Sequence, residues 1–284
     1  MITNITPLIL THNEAPNLGR TLEQLTWARE ILIVDSFSTD ETLAIAKKFP
    51  QVRVVQRKFD SFADQCNFGL QQMNTKWVLS LDADYILTPE LVNELHSLPN
   101  NAEVAGFAAK FRFCVYGRPL RSCLYPARTV LYQREKALYL NDGHGHRVRV
   151  DGNVADLAWP IDHDDRKSLA HWIAVQDRYA VLEALKLVQA KPGELRLPDR
   201  IRRKVVLAPP LMFFYTLFGR GLILDGWPGW YYVWQRTIAE MILSLRLTEQ
   251  RLSHKSKKSD LGKALLPSSS PDLSANGCKV PLLK

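Results

Sequence analysis

Cysteine is sparse in this 284-residue chain, and its four positions, Cys66, Cys114, Cys123 and Cys278, form no CxxC pair. That spacing excludes a zinc cluster of thiolates and offers no disulfide framework, which fits a reducing compartment. Long apolar runs are lacking too. The longest, residues 205–218, is broken by Pro209-Pro210 and followed by Arg220. A bilayer span needs roughly 20 residues, so this run reads as an interfacial or buried helix. The segment Met1–Pro7 has neither a basic n-region nor an apolar h-region, so no secretory signal is expected and the chain is expected to be cytoplasmic. Acidic residues are scarce near the end. Residues 200–258 carry eleven lysines and arginines against three acids, which equals the whole-chain excess of +8. The same stretch is rich in Trp, Phe and Tyr. That combination suits an anionic membrane surface better than nucleic acid, and no nucleic-acid partner is expected.

What is present is an alternation of strand and helix. Pro7–Thr11, Glu30–Asp35, Val52–Val55 and Trp77–Leu81 are short apolar runs. Between them lie helical patterns at 17–28, 41–48 and 61–73, the last with Ser61 and Asp64 at capping-box spacing. Thr88-Pro89-Glu90 opens another helix. Apolar strands separated by amphipathic helices predict an α/β fold with a mostly parallel sheet covered on both faces. Ligands bind beyond the carboxyl ends of such strands. Three of those ends carry polar clusters, at 11–14, 35–40 and 82–84. Asp82 and Asp84 are two apart, so in a strand they share a face, and their repulsion is relieved by a cation. A hard divalent ion held together with phosphates is the natural tenant.

Residues 105–133 read as further extended segments. Asn141-Asp142-Gly143-His144-Gly145-His146-Arg147 is a Gly-flanked loop, Asp151-Gly152 has hairpin chemistry, and 154–158 is a strand. A long helix over 166–191 is expected to turn Leu169, Trp172, Ile173, Val175, Tyr179, Leu182 and Leu185 inward. A further helix follows Trp230 to about Leu252, and 254–284, rich in Lys, Ser and Pro, is expected to be disordered. The organisation expected is 1–104 and 105–198 as the two halves of one domain, 199–253 as a basic aromatic helical segment, and 254–284 as a tail.

Four motifs in register carry a resemblance. Thr11-His12-Asn13-Glu14, Val34-Asp35-Ser36-Phe37-Ser38-Thr39-Asp40-Glu41-Thr42, Asn67 and Leu81-Asp82-Ala83-Asp84 resemble family-2 glycosyltransferases of the GT-A fold. The Gly-X-X-X-Asp-Gly segment Gly221–Gly226 is similar to the lipopolysaccharide-core and exopolysaccharide branch. The resemblance implies inverting transfer of a sugar from a nucleotide diphosphate to a hydroxyl of a glycan or lipid-linked acceptor, peripherally on the inner face of the cytoplasmic membrane. It implies that Thr11, Asn13, Glu14 and Asp35 line the nucleoside, with Asp35 accepting the imide N–H of uracil, and that Arg57 and Asn67 brace it. Asp82 is expected near the ribose, and Asp84 with His163 on Mn²⁺ or Mg²⁺. Relatives place a His-Glu or Glu-Asp pair in the acceptor half; the corresponding stretch here, Asp142 to Arg147, has no Glu, so Asp142 is the expected base, with His144 second. A prenyl-phosphate sugar synthase and a non-catalytic nucleotide-sugar-binding protein are the alternatives.

Overall fold

The computed structural model describes residues 2–98, 103–142, 145–191, 193 and 195–264, the side chains of 142, 145, 146 and 254–264 excepted. The elements run β1 (Ile5–Thr11), α1 (Ala15–Glu23), β2 (Ile31–Asp35), α2 (Thr42–Ala46), β3 (Val52–Gln56), α3 (Phe62–Gln71), β4 (Trp77–Asp82), β5 (Tyr85–Leu87) and α4 (Pro89–Ser97). There follow β6 (Val104–Ala109), β7 (Phe111–Val115), β8 (Arg118–Pro119), β9 (Arg128–Gln133), β10 (Ala137–Asp142), β11 (Gly145–Val150), β12 (Asn153–Asp156) and β13 (Ile161–His163). The chain closes with α5 (Leu169–Gln189), α6 (Leu197–Arg202), α7 (Ala208–Phe214) and α8 (Trp227–Ala264).

The main sheet has the order β12-β6-β9-β4-β1-β2-β3. Its strands are parallel except β9, which runs antiparallel to both neighbours. This is the mostly parallel α/β plan of the GT-A fold. Apolar continuity explains the inner strands: Ile31, Leu32, Ile33 and Val34 are all fully buried, because both sheet faces are covered. Leu18, Leu22 and Leu25 cover one face, and Ala63, Cys66 and Leu70 of α3 the other. Gly69 lets α3 lie close, since a Cβ there would sit 2.6 Å from Leu8 Cδ1. Side-chain caps start the helices where the sequence places them: Ser61 Oγ accepts from Asp64 N, Thr88 Oγ1 from Leu91 N and Ser168 Oγ from His171 N.

A second small sheet, β5-β13-β7-β8, stands beside the end of β4, and β10–β11 forms a separate ribbon over α3. Two expectations are corrected here. Asp151-Gly152 does not close a hairpin. The ribbon closes at its other end, where Asp142 pairs Gly145, and the chain then passes to β12, which runs parallel to β6. Four of the apolar residues of α5 expected to face inward do not: Leu169, Ile173, Tyr179 and Leu182 are exposed. The helix instead meets α8 through Ala180, Ala184 and Leu187 against Leu243 and Leu247, because small residues allow two backbones to approach. Helix α5, which precedes the boundary expected at 199, thus packs on α8, which follows it. Helix α8 runs on to Ala264, past the end expected near Leu252, and residues 265–284 lie outside the described residues.

Among the described residues no helix is long and apolar enough to cross a membrane. Leu211, Phe214, Phe218, Trp234, Met241 and Leu245 form exposed apolar surface on α7, α8 and the turn between them. Much of the local positive charge is engaged internally. Arg202 pairs with buried Glu240, Arg246 with Asp177 and Glu249, and Arg220 donates to the Cys123 carbonyl.

Candidate active site

The ends of β1, β2 and β4 are neighbours in the sheet, so the three polar clusters meet. Asn13 sits in the left-handed region at φ 57 and binds the next strand end. Its N–H donates to Ser38 Oγ at 2.9 Å, and its Oδ1 accepts from Thr39 N at 2.8 Å. Asp40 caps α1 and α2, accepting from Ala15 N and Thr42 N. Asp35 is fully buried and accepts from Thr11 Oγ1 (2.8 Å), Ser38 Oγ (2.5 Å), Ser38 N (2.9 Å) and Gln56 Nε2 (3.1 Å). Burial opposes its charge, but these donors hold its carboxyl below the usual range. Asp35 thus locks the loop after β2 and is spent inside the protein, rather than being offered to a base. Asn67 is likewise occupied, exchanging two hydrogen bonds with the backbone of Tyr139 at 3.0 and 2.9 Å, which ties α3 to the ribbon. Arg57 lies on the wall beyond β3, bonded to Gln65 Oε1 (2.7 Å) and Asp60 (2.8 Å) over the Phe68 ring.

At the end of β4 the two aspartates part. Asp82 faces a cavity of about 410 Å³ lined also by Ser80, Tyr85, Arg128, Tyr139 and Arg147. Asp84 points into the protein, where its Oδ2 lies 3.1 Å from His163 Nε2. Burial works against both charges, and their mutual attraction outweighs it: Asp84 is held below the ordinary carboxylate range and His163 above the ordinary imidazole. The imidazole is framed edge-on by the rings of Tyr85, Phe113 and Tyr125 at 5.0–5.4 Å. Asp84 Oδ1 and His163 Nδ1 are both buried with no hydrogen-bond partner among the described residues. A buried carboxylate oxygen with no donor, on a group whose other oxygen meets an imidazole, is what a bound cation would satisfy. No group of three or more His, Cys, Asp or Glu able to hold a metal occurs among the described residues. The pair therefore fits an ion such as Mg²⁺ or Mn²⁺ that takes its other ligands from phosphate and water, and not a self-sufficient protein cage.

One residue went unnoticed in the sequence. Asn17 is fully buried in α1 and uses its whole amide. Its Nδ2 donates to Glu14 Oε2 (3.0 Å) and Asp165 Oδ1 (2.9 Å), and its Oδ1 accepts from Arg20 Nη2 (2.9 Å) and Arg166 N (2.8 Å). Lys167 Nζ donates to Glu14, while Asp164 takes Arg20, Arg166 and the Gly117 N–H. This network clamps the segment after β13, which carries His163, onto the start of α1. Burial pushes the Glu14 carboxyl up to about 7, against the pull of Lys167. The run Asp162-His163-Asp164-Asp165-Arg166-Lys167 was the available signal.

The backbone of Asp142 lies on the last rung of the ribbon, while its side chain and all of His144 lie outside the described residues. The same ribbon contributes Tyr139, Arg147 and Val148 to the cavity opposite Asp82.

The glycosyl transferase family 2 model matches residues 8–150, half of the chain, from β1 to the end of the ribbon. The chain belongs to this family. The matched segment stops before His163, so it holds Glu14, Asn17 and Arg20 of the clamp but not Asp164, Asp165, Arg166 and Lys167. The chain is 27% identical over 237 residues to the lipopolysaccharide core biosynthesis glycosyltransferase LpsC of Rhizobium meliloti (strain 1021), covering 79% of this chain and 84% of that one. It is 34% identical over 210 residues to an uncharacterized glycosyltransferase of Rickettsia bellii (strain RML369-C), covering 68% and 71%. Among solved structures, it is similar at a TM-score of 0.45 and 13% identity to S. aureus TarS 1-349 in complex with UDP-GlcNAc, covering 88% of this chain and 92% of that one. The mannosyltransferase PcManGT of Pyrobaculum calidifontis, in complex with GDP-Man and Mn²⁺, gives 0.45 at 14% identity over 86% and 87%.

Proposed function

We propose that the protein transfers a sugar, with inversion, from a nucleotide diphosphate donor to a hydroxyl of a cell-envelope glycan or glycolipid, in a metal-dependent reaction. Family membership supports the reaction type, and the description of LpsC supports a lipopolysaccharide-core acceptor. The observation that carries the metal-dependent reading is the orphaned, buried Oδ1 of Asp84, whose Oδ2 lies beside His163. These two residues would hold Mn²⁺ or Mg²⁺, which when bound neutralises charge on the departing nucleoside diphosphate. The protein's own groups do the rest. The Asn13–Glu14 loop, shaped from beneath by Asp35 and Thr11, forms the nucleoside side, with Arg57 and Asn67 holding its walls. Asp82 stands between that side and the cavity, where it meets the ribose. Asp142, at the closing end of the ribbon, is the base that takes the acceptor hydroxyl's proton. A UDP-sugar is the donor tested first.

Contact with the inner face of an anionic membrane rests on the exposed apolar residues of α7 and α8 more than on charge, because several arginines there are already paired. Amphipathic helices of this kind lie in the headgroup plane.

The test is a thermal-shift panel of UDP-, GDP- and dTDP-sugars with and without Mn²⁺, followed by product analysis. A ligand that binds only the native state raises the midpoint. Asp84→Ala is expected to lose the Mn²⁺-dependent part of the shift and at least about 100-fold in turnover, roughly 2.7 kcal/mol of barrier. Near-normal turnover in that variant ends the metal reading. An axial-to-axial product from an axial donor, seen by NMR, ends the inverting one.

A further inference from the structure

The acceptor side of the cleft carries charge that a neutral sugar does not require. The cavity beside Asp82 has about 410 Å³, within the roughly 300–1,000 Å³ of small-molecule sites. Its walls include β4 through Ser80 and Asp82, the start of β9 through Arg128, and the ribbon through Tyr139 and Arg147. Leu79 pairs Leu131 in antiparallel register, so counting outward brings Arg128 alongside Asp82. In the sheet order β2-β1-β4-β9, this is the flank of β4 opposite the strands that carry the nucleoside loops. Arg128 is therefore across Asp82 from the nucleotide.

The Arg128 guanidinium lies 4.6 Å over the Tyr125 ring and makes no ion pair among the described residues. The ring covers one face and leaves the N–H edge of a planar fork for a ligand. Arg147 of β11 is a second arginine among the lining residues. The rest of the polar lining is hydroxyl. Tyr139 Oη donates to Ser80 Oγ at 2.8 Å and lies 2.7 Å from Tyr132 Oη, and Tyr85 Oη lies 2.7 Å from Tyr125 Oη. The cavity thus sets the Asp82 carboxylate, two arginines and tyrosine and serine hydroxyls on one lining, with Arg128 on the flank of Asp82 away from the loops after β1 and β2.

We propose that this cavity is the acceptor site and that the acceptor is anionic: a carboxylate or phosphate on the receiving sugar is gripped by Arg128, with Arg147 beside it. Gripped there, the sugar presents a hydroxyl toward the Asp82 end. Arginine suits this task because its fork matches both anions with two parallel hydrogen bonds. The inference rests on the donor reading above and narrows the substrate class of that site.

The experiment uses the full chain saturated with UDP and Mn²⁺, and titrates three probes by thermal shift: glucuronate, glucose 6-phosphate and glucose. The expected result is a further rise with glucuronate or glucose 6-phosphate and none with glucose, the two anions telling carboxylate from phosphate. Arg128→Gln is expected to weaken the effective anion more than about tenfold, the scale of a charge-assisted hydrogen bond, while keeping the UDP·Mn²⁺ shift. Arg128→Lys is expected to recover part of the affinity. Equal response to glucose, or to no probe, overturns the inference, as does an Arg128→Gln variant within twofold of wild type. Loss of the UDP·Mn²⁺ shift in Arg128→Gln overturns it in another way, by assigning the arginine to the donor phosphates. Wild-type protein that shows no UDP·Mn²⁺ shift fails at the earlier step: the donor reading falls, and this inference with it.

Discussion

Asn17→Ala tests whether one buried amide holds the two halves of the site together. The substitution removes four hydrogen bonds, to Glu14, Asp165, Arg20 and the Arg166 N–H. Three of these partners are charged, and hydrogen bonds to charged groups contribute about 1.5–3 kcal/mol each. A plain sum overstates the loss, because the Arg20 side chain is 31% exposed and water can replace the amide there. Glu14 also keeps Lys167, and Asp165 keeps the Lys167 N–H. The net expected loss is about 3 kcal/mol, a fall in midpoint of roughly 6 °C for a chain of this size. Urea unfolding at neutral pH measures it. Asn17→Asp is the sharper control: it keeps both acceptors for Arg20 and Arg166 but turns an oxygen toward two carboxylates, so it should cost at least as much as alanine. A loss below about 1 kcal/mol in Asn17→Ala, or a neutral Asn17→Asp, would refute the clamp.

Other outcomes follow from single contacts. Gly229→Ala would place a Cβ 1.9 Å from the Leu222 carbonyl oxygen, a backbone atom that cannot swing aside. It should cost more than about 3 kcal/mol and unseat the turn before α8, a loss visible in tryptophan fluorescence. Glu14 has a folded pKa near 7, above its ordinary 4.5. Between those values the native state holds the proton more tightly than the unfolded chain, so this group makes stability fall as pH rises through the window. Glu14→Gln should flatten that slope in urea midpoints taken from pH 4.5 to 7, and an unchanged slope would remove Glu14 as its source. Asp164 has the opposite sign: burial opposes its charge, but Arg166, the Gly117 N–H and Arg20 together depress its pKa. Its contribution is present above the ordinary carboxylate range and is lost as pH falls through the depressed value, so Asp164→Asn should shrink the acid-side loss of stability. Replacing Leu211, Phe214 and Phe218 together by Ser should abolish flotation with anionic vesicles at little cost to the urea midpoint, because all three are exposed.

The parallel half of the fold was legible because its signals are local. A continuous Ile-Leu-Ile-Val run, a Ser or Thr cap and a Pro at a first helical turn each act within a few residues, and strand ends in such a sheet fall together by topology. The meeting of Asn13, Asp40 and Asp84 followed from that rule. The roles assigned within the meeting were less legible. Asp35 and Asn67 carry polar groups at the right positions, yet the structure spends them on Ser38, Gln56 and the Tyr139 backbone. Sequence spacing reports where a side chain starts and not which nearer partner claims it. The inward face of α5 was misjudged for a related reason. Size and apolarity suggested Leu and Tyr, but the contact with α8 runs through Ala180 and Ala184, and only the partner helix's position reveals that.

By itself, then, the chain determined its alternation of strand and helix, the order of its motifs and the presence of two aspartates at one strand end, all consequences of short-range propensity and period. Tertiary structure decided what those aspartates face. A turn of one residue sends Asp82 to an open cavity and Asp84 inward to His163, 79 positions along the chain. It also decided that Asn17 would join Glu14 to Asp165, 148 residues beyond it, and that Arg128 would stand across Asp82 from the loops after β1 and β2. Such pairings depend on how the second half of the chain packs back onto the first, and packing of that range leaves no mark on local sequence.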